Sequence, residues 1–236
     1  MLAFLLVFLL SGPIKAQDSV IEKVEKQFVT DYKKLMTASI MERSDNLAPS
    51  FRVGLAGFLN NEATFDYDFK RLSKFVKRTE DPKGHFRIFG YDELTGGKRH
   101  EMVNIAQIKL RDGRVITEFL NNSNELSLGD FNDVIIFDVI PWGKNEDELD
   151  LYIFLGWGSN DKKQQFETVR VYQFNGVQLK QLEGISTRGG DPVNEIAIEA
   201  PRSADIEIKV NSDNQTIEFF GYLPLPNGGW GKSKNP

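Results

Sequence analysis

The chain has 236 residues, 40% of them hydrophobic and 11% aromatic, with no cysteine. This composition fits one large domain, or a small helical unit docked on a β domain, and it excludes a disordered protein, disulfides, Cys-ligated metal sites and a lipid-modified cysteine. The 29 basic and 34 acidic residues give a formal net charge of −5 without long blocks of one sign, so no nucleic-acid partner is expected.

The first sixteen residues resemble a secretory signal peptide. An apolar run over residues 2–10 is too short for a membrane span of roughly 20 residues, and small residues precede a predicted cleavage point after Ala16. No Lys or Arg precedes the run, and a buried N-terminal strand or helix is the alternative. Cleavage removes Lys15 and leaves a charge of 28 − 34 = −6. We expect a periplasmic or secreted product without a transmembrane segment.

The next part of the chain has the pattern of amphipathic helices. Over residues 18–41, apolar side chains recur at three- and four-residue steps among Lys and Glu, with Asp18 or Ser19 as the N-cap. Pro49 is expected to end this helix, and residues 51–59 are too rich in glycine to assign. An apolar stripe over residues 65–76 predicts a second, shorter helix. The predicted organisation is a signal peptide at 1–16 and a helical region at 17–80.

From residue 81 onward the hydrophobic period changes from 3.6 to 2, which predicts antiparallel strands separated by Gly- and Asn-rich turns. Residues 81–236 are therefore predicted to form a β domain, and the fold class is α+β with a long antiparallel β-meander. A sandwich, an open barrel and a propeller-like arrangement all fit this spacing. The predicted strands cover residues 85–91, 102–110, 114–119, 133–140, 149–155, 166–174, 177–182, 196–200, 206–210 and 216–222.

Two stretches of the β region share one pattern. Residues 86–115 and 151–177 each contain an aromatic strand, a glycine, a polar loop and a second strand that runs to or from an Asp-Gly or Asn-Gly turn. Tyr91 and Trp157 occupy equivalent positions directly after the glycine. An aromatic ring at the edge of a loop can stack on a sugar or anchor a peptide, whereas a glycine before it favours a ring that plugs the corner of the hairpin.

The loop that follows Trp157 supplies polar neighbours for the first of these interpretations. Asn160 and Asp161 lie a few residues beyond the ring. Tyr91, Trp157, Asn160 and Asp161 are therefore the candidate ligand-binding residues, and the candidate ligands are a glycan, a peptide or an envelope protein.

Motifs for metal and cofactor chemistry lack required residues. His85 and His100 could lie near one another on neighbouring strands, but no carboxylate is placed beside them, so structural or surface roles are predicted. Residues 129–133 resemble the start of a calcium loop, yet a buried strand follows at once and the remaining acidic ligands are missing. No metal and no cofactor are expected.

Acid–base chemistry would require two carboxylates brought together by the fold. Asp66 with Asp68, or Glu118 with Asp138, could serve as a glycosidase pair, in which the two carboxyl groups lie roughly 5–9.5 Å apart. No serine has the context of a nucleophile elbow. An enzyme is therefore not the preferred prediction.

Several phrases of the sequence resemble a family of exported, uncharacterised proteins from Bacteroidota, in which a phrase like "RIYxW…TGG" precedes one like "YxLLGWxGND". The chain departs from that pattern by having Tyr91 in place of tryptophan, and by having Gly158 and Ser159 before Asn160 and Asp161. The resemblance implies export and a shared fold, and no activity. The matching phrases are at residues 68–72, 86–91, 95–97, 152–157 and 160–161.

Three classes of function remain open. The preferred hypothesis is a non-catalytic envelope or secreted module that binds a glycan, peptide or protein partner through the loops around Tyr91 and Trp157. The second is a hydrolase with a carboxylate pair such as Glu118 and Asp138. The third is a structural subunit that docks on a partner through the helix predicted at residues 18–41.

Overall fold

A computed structural model describes residues 14–95, 100–120, 133–159, 163–182, 193, 195–225 and 230–233. A layer of helices is followed along the chain by antiparallel strands, which confirms the α+β class with a β-meander. Within these ranges, no helix has both the length and the apolar character needed to cross a membrane.

The helical layer consists of two main helices. Helix α1 covers Ile14–Thr37 and so begins before the predicted N-cap at residue 18. A short helix α2, Ile40–Glu42, and a π-helical turn, Arg43–Leu47, lead into helix α3, Ala48–Leu59. Pro49 does not end a helix as predicted. It lies in the first turn of α3, where its missing N–H has no intrahelical partner to lose.

Helix α1 is held to the rest of the chain by a buried carboxylate. The fully buried side chain of Glu25 accepts hydrogen bonds from the Tyr67 hydroxyl at 3.0 Å and from the backbone N–H groups of Arg71 and Leu72 at 2.7 and 2.9 Å. Ile21 and Leu35 are buried on the same helix. Much of the apolar face of α1 is therefore covered by its own chain, with Val20 and Met36 exposed, and this burial counts against the docking-helix hypothesis.

The prediction of a second helix over residues 65–76 is wrong. Residues 65–76 contain turns rather than an α-helix. A 3₁₀ turn at Glu62–Thr64 precedes them and another lies at Leu72–Lys74, and the backbone at Phe69 is left-handed, with φ 51°. The helical spacing of the apolar residues arises because successive turns bury Phe65, Phe69 and Leu72. The following residues form a strand, so the sheet begins inside the predicted helical region.

The first sheet, sheet A, has four antiparallel strands in sequential order. Alternation decides its two faces: Phe89 and Tyr91 face the helices, whereas Phe86 and Ile88 face the second sheet. Its strands are β1 (Lys77–Glu80), β2 (Phe86–Asp92), β3 (Met102–Lys109) and β4 (Val115–Phe119).

The second sheet, sheet B, has five antiparallel strands. β8 and β9 both pair with β7, at opposite ends of that strand. The strands are β5 (Ile135–Lys144), β6 (Asp150–Gly158), β7 (Gln164–Phe174), β8 (Leu179–Gln181) and β9 (Ile196–Pro201).

Sheets A and B pack face to face, which is a sandwich arrangement. Phe86 from sheet A contacts Tyr152 and Phe154 from sheet B, with ring centroids 5.1 and 6.0 Å apart. The edge strands β1 and β5 lie side by side, and the Thr79 hydroxyl donates to the Ile136 carbonyl at 3.2 Å. Of the three arrangements left open by the sequence, the sandwich is the one observed.

Two hairpins complete the chain. β10 (Ile208–Asn211) and β11 (Thr216–Phe219) pack on the outer face of sheet B, against Ile153 and Leu155. β12 (Gly221–Pro224), which overlaps the end of the strand predicted at residues 216–222, pairs with β13 (Trp230–Ser233), where no strand was predicted. The outer faces of both sheets are thus covered in part, sheet A by helices and sheet B by a hairpin.

Candidate functional site

Trp157 lies on the outer face of sheet B, at the end of strand β6. The preceding residues on that face, Ile153 and Leu155, are buried beneath the β10–β11 hairpin, whereas Trp157 stays partly exposed. The opposite face has no room for side chains here. A Cβ at Gly156 would lie 2.7 Å from the Thr168 hydroxyl, and one at Gly158 would lie 2.5 Å from the backbone oxygen of Asp133. Close packing beneath the strand therefore holds Trp157 facing outward.

The indole ring is fixed by a hydrogen bond. Its Nε1–H donates to the Oε1 atom of Gln165 at 3.1 Å, and Gln165 donates in turn to the Ala204 carbonyl at 2.6 Å. This relay joins β6, β7 and the chain after β9. The ring is consequently held at a defined angle to the sheet before any ligand arrives.

Two basic side chains flank the ring. The His100 ring centroid lies 6.3 Å from that of Trp157, and the Arg202 guanidinium carbon lies 5.8 Å from it. His100 contacts the Asp92 carboxylate through Nδ1 at 2.5 Å. The site therefore draws on both sheets, because His100 precedes β3 and Arg202 follows β9.

Glu167 lies directly opposite Trp157 in the pairing of β6 with β7. Directly opposed residues in antiparallel strands project from the same face, so the carboxyl group belongs to the same surface. Burial, followed by the negative charge of Asp205, raises the pKa of Glu167 to about 7. Near neutral pH this side chain is therefore present in both its acid and its carboxylate form.

We define the Trp157 surface as the side chains of Trp157, His100, Gln165, Glu167 and Arg202. It offers an aromatic ring surrounded by planar polar groups that can donate and accept hydrogen bonds. Within the ranges given above, no three His, Asp or Glu side chains converge to form a candidate metal site. The chemistry available to this surface is stacking combined with hydrogen bonding.

Tyr91, the other predicted aromatic residue, lies in the core. It is 0% exposed on the helical side of sheet A, where its ring contacts Phe51 at 5.1 Å and Tyr32 at 6.2 Å. Tyr91 and Trp157 hold equivalent places on the outer faces of their sheets, but the helices cover only the first. The ring of Tyr91 therefore packs inside the protein instead of at a loop edge.

The remaining predicted residues of this site cannot be placed. Asn160 and Asp161 lie outside the described residues, so their part in a binding surface stays a prediction. Residues 129–132 of the calcium-like stretch lie outside them as well.

The proposed carboxylate pair of Glu118 and Asp138 does not form. Glu118 accepts a hydrogen bond from the backbone N–H of Leu179 on β8 at 2.8 Å, whereas Asp138 is on β5. Three strand intervals separate β5 from β8, about 14 Å across the sheet. Along the strands the two positions differ by about five further residues, roughly 16 Å. Both offsets exceed the roughly 5–9.5 Å of glycosidases.

The two histidines lie at opposite ends of strand β2. His85 precedes β2 and contacts Asp81 at 3.0 Å, whereas His100 lies beyond the other end of that strand, about 20 Å away along it. The idea that the two histidines lie together is therefore wrong. Asp66 and Asp68 are exposed and pair with Lys109 and Lys70.

Sequence reasoning found Trp157 but missed most of its neighbours. The predicted strands gave no signal for Glu167, because it lies opposite Trp157 only in the observed register, in which β6 and β7 extend beyond their predicted ends. Arg202 gave no such signal, because it reaches the ring only through the pairing of β9 with β7, far apart in sequence.

Comparison with protein-family models, with curated proteins and with solved structures finds no match for this chain. The resemblance to exported Bacteroidota proteins therefore stays a prediction.

Proposed function

We propose that this protein is an exported, non-catalytic binding module that holds a saccharide on the Trp157 surface. One observation carries the proposal: a partly exposed tryptophan whose N–H is fixed by Gln165 and whose ring is flanked by His100 and Arg202. The apolar C–H face of a sugar stacks on such a ring, and its hydroxyls need planar donors and acceptors around the edge.

Export is supported by the apolar run at residues 2–10 and by the small residues before the predicted cleavage point after Ala16. A saccharide ligand is favoured over a peptide because the surface combines one aromatic ring with several polar side chains close to that ring. Peptides bound in an extended form take main-chain hydrogen bonds from a sheet edge instead. Here the ring lies on a sheet face.

Calorimetric titration of the protein with oligosaccharides and with peptides tests this proposal. We expect saccharide binding in the wild type and a loss of about 30-fold in affinity for Trp157→Ala, as for a hot-spot residue worth ~2 kcal/mol. Trp230→Ala is the matched control, since Trp230 lies in the separate β12–β13 hairpin. Equal saccharide affinity in both variants, or binding of peptides alone, would contradict the proposal.

A further inference from the structure

We infer that the saccharide is acidic, with a carboxylate that Arg202 binds while the sugar ring stacks on Trp157. The inference rests on the proposed function and names its ligand class. Arg202 is exposed, and its guanidinium lies over the indole ring of Trp157, 5.8 Å from the ring centroid.

Arg202 differs from the other arginines that hold the fold together. Arg52 and Arg170 each pair with a glutamate at 2.7 Å. In the part of the chain that the structure describes, no carboxylate lies within ion-pair distance of Arg202. Its charge is therefore available to a ligand, and an arginine fork matches a carboxylate with two parallel hydrogen bonds.

The backbone holds this arginine next to the tryptophan. Arg202 follows Pro201, the last residue of β9, and its N–H donates to the Lys163 carbonyl at 2.8 Å. The main chain at this position is thus fixed by the sheet, and only the side chain must move to take a ligand.

Stacking geometry brings the two contacts together. In a uronic acid the carboxylate is attached to the ring carbon beside the ring oxygen, so it projects from the edge of the sugar. A sugar lying on the indole ring therefore presents its carboxylate at the edge of the tryptophan. Arg202 already lies against that ring and can turn from the face of the indole to the carboxylate.

The acidic groups nearby do not prevent an anion from binding. Asp92 is in contact with the His100 ring at 2.5 Å, so this carboxylate already has a partner. Burial and the charge of Asp205 raise the pKa of Glu167 to about 7. Near neutral pH its acid form can therefore donate a hydrogen bond to a sugar hydroxyl.

Matched ligands provide the test. Oligomers of galacturonate and of glucuronate are titrated into the protein at low salt, together with their methyl esters, which keep the rings and remove the charge. We expect the acids to bind about tenfold or more tightly than the esters, as for a hydrogen-bonded charge pair. In Arg202→Gln the ratio should fall to about one, because the acids lose much more affinity than the esters. Arg111→Gln, an exposed arginine in a turn of sheet A, is the control and should keep the wild-type ratio.

The outcomes distinguish failure of the acidic ligand from failure of the saccharide module. Equal affinity for acids and esters, both lost in Trp157→Ala, would overturn the acidic ligand and leave the saccharide module standing. An Arg202→Gln variant that loses acids and esters equally would give Arg202 a role other than charge recognition and would also overturn the inference. No binding of any acid or ester, or of any saccharide, would overturn both proposals.

Discussion

Tyr91 and Trp157 have equivalent positions in the sequence pattern but different surroundings. The buried hydroxyl of Tyr91 has no hydrogen-bond partner within the described ranges, whereas the indole N–H of Trp157 is bonded to Gln165. Burying an unpaired hydroxyl costs free energy, so the ring of Tyr91 stabilises the fold through its apolar contacts alone.

Tyr32 and Tyr91 are both buried on the helical side of sheet A, but removal of their hydroxyl groups should change the free energy of unfolding differently. Tyr32 donates to the Asp92 carbonyl at 2.8 Å, so Tyr32→Phe should lower the free energy of unfolding by about 1 kcal/mol. Tyr91→Phe should leave it unchanged or raise it. Urea denaturation measures both. A larger loss in Tyr91→Phe than in Tyr32→Phe would mean that the Tyr91 hydroxyl has a partner in solution.

Glu167 should make stability depend on pH. Its folded pKa is about 7 and its ordinary value is 4.5, so the folded state holds the proton more tightly. The contribution is complete below pH 4.5 and is lost as pH rises through about 7. Glu167→Gln, which imitates the acid form, should match the wild type near pH 4 and exceed it in thermal stability at pH 8. A constant difference across this range would show that the carboxyl group is not perturbed.

Among the elements, helix α1 is the one whose attachment decides between hypotheses. Glu25 and the buried residues of its face join α1 to the turns before β1. A helix that serves to dock on another protein would keep that face free. The arrangement therefore predicts that the helix contributes to the stability of the isolated chain.

Glu25→Ala tests this attachment. The change leaves the Tyr67 hydroxyl and two backbone N–H groups without their acceptor, and it should lower the free energy of unfolding by about 3 kcal/mol or more. The control is Glu22→Ala, one turn earlier and partly exposed. This change should cost much less, because the ion pairs of Glu22 with Lys26 and Arg71 are screened by solvent. Equal effects in denaturant titrations would mean that α1 is not anchored through Glu25.

The elements also show which parts of the fold a sequence can predict. Most strands of the sandwich were found because their aromatic and β-branched residues follow a period of two or form short apolar runs between turns. Helix α3 was not assigned because of Gly54 and Gly57, yet a Cβ at Gly54 would lie only 3.4 Å from Phe28, so a small residue there fits the close approach of α1. Strand β1 was missed because an edge strand with mostly charged residues has no such period.

At the scale of the whole molecule, the layers decide which aromatic residue meets solvent. Helices cover the outer face of sheet A, including Tyr91, while the β10–β11 hairpin covers Ile153 and Leu155 of sheet B and leaves Trp157 partly exposed. The sequence pattern found both rings but could not distinguish them, because the covering elements lie far away along the chain. Arg202 was missed for the same reason.

The most direct test of the account is the fluorescence of Trp157 alone. In the variant with Trp142→Phe and Trp230→Phe, Trp157 is the only remaining indole of the three. Titration with an oligosaccharide that binds in calorimetry should change the intensity or wavelength of its emission along the same saturation curve, because the sugar stacks on the ring. Saturable binding that leaves the emission unchanged would place the ligand elsewhere and contradict the account.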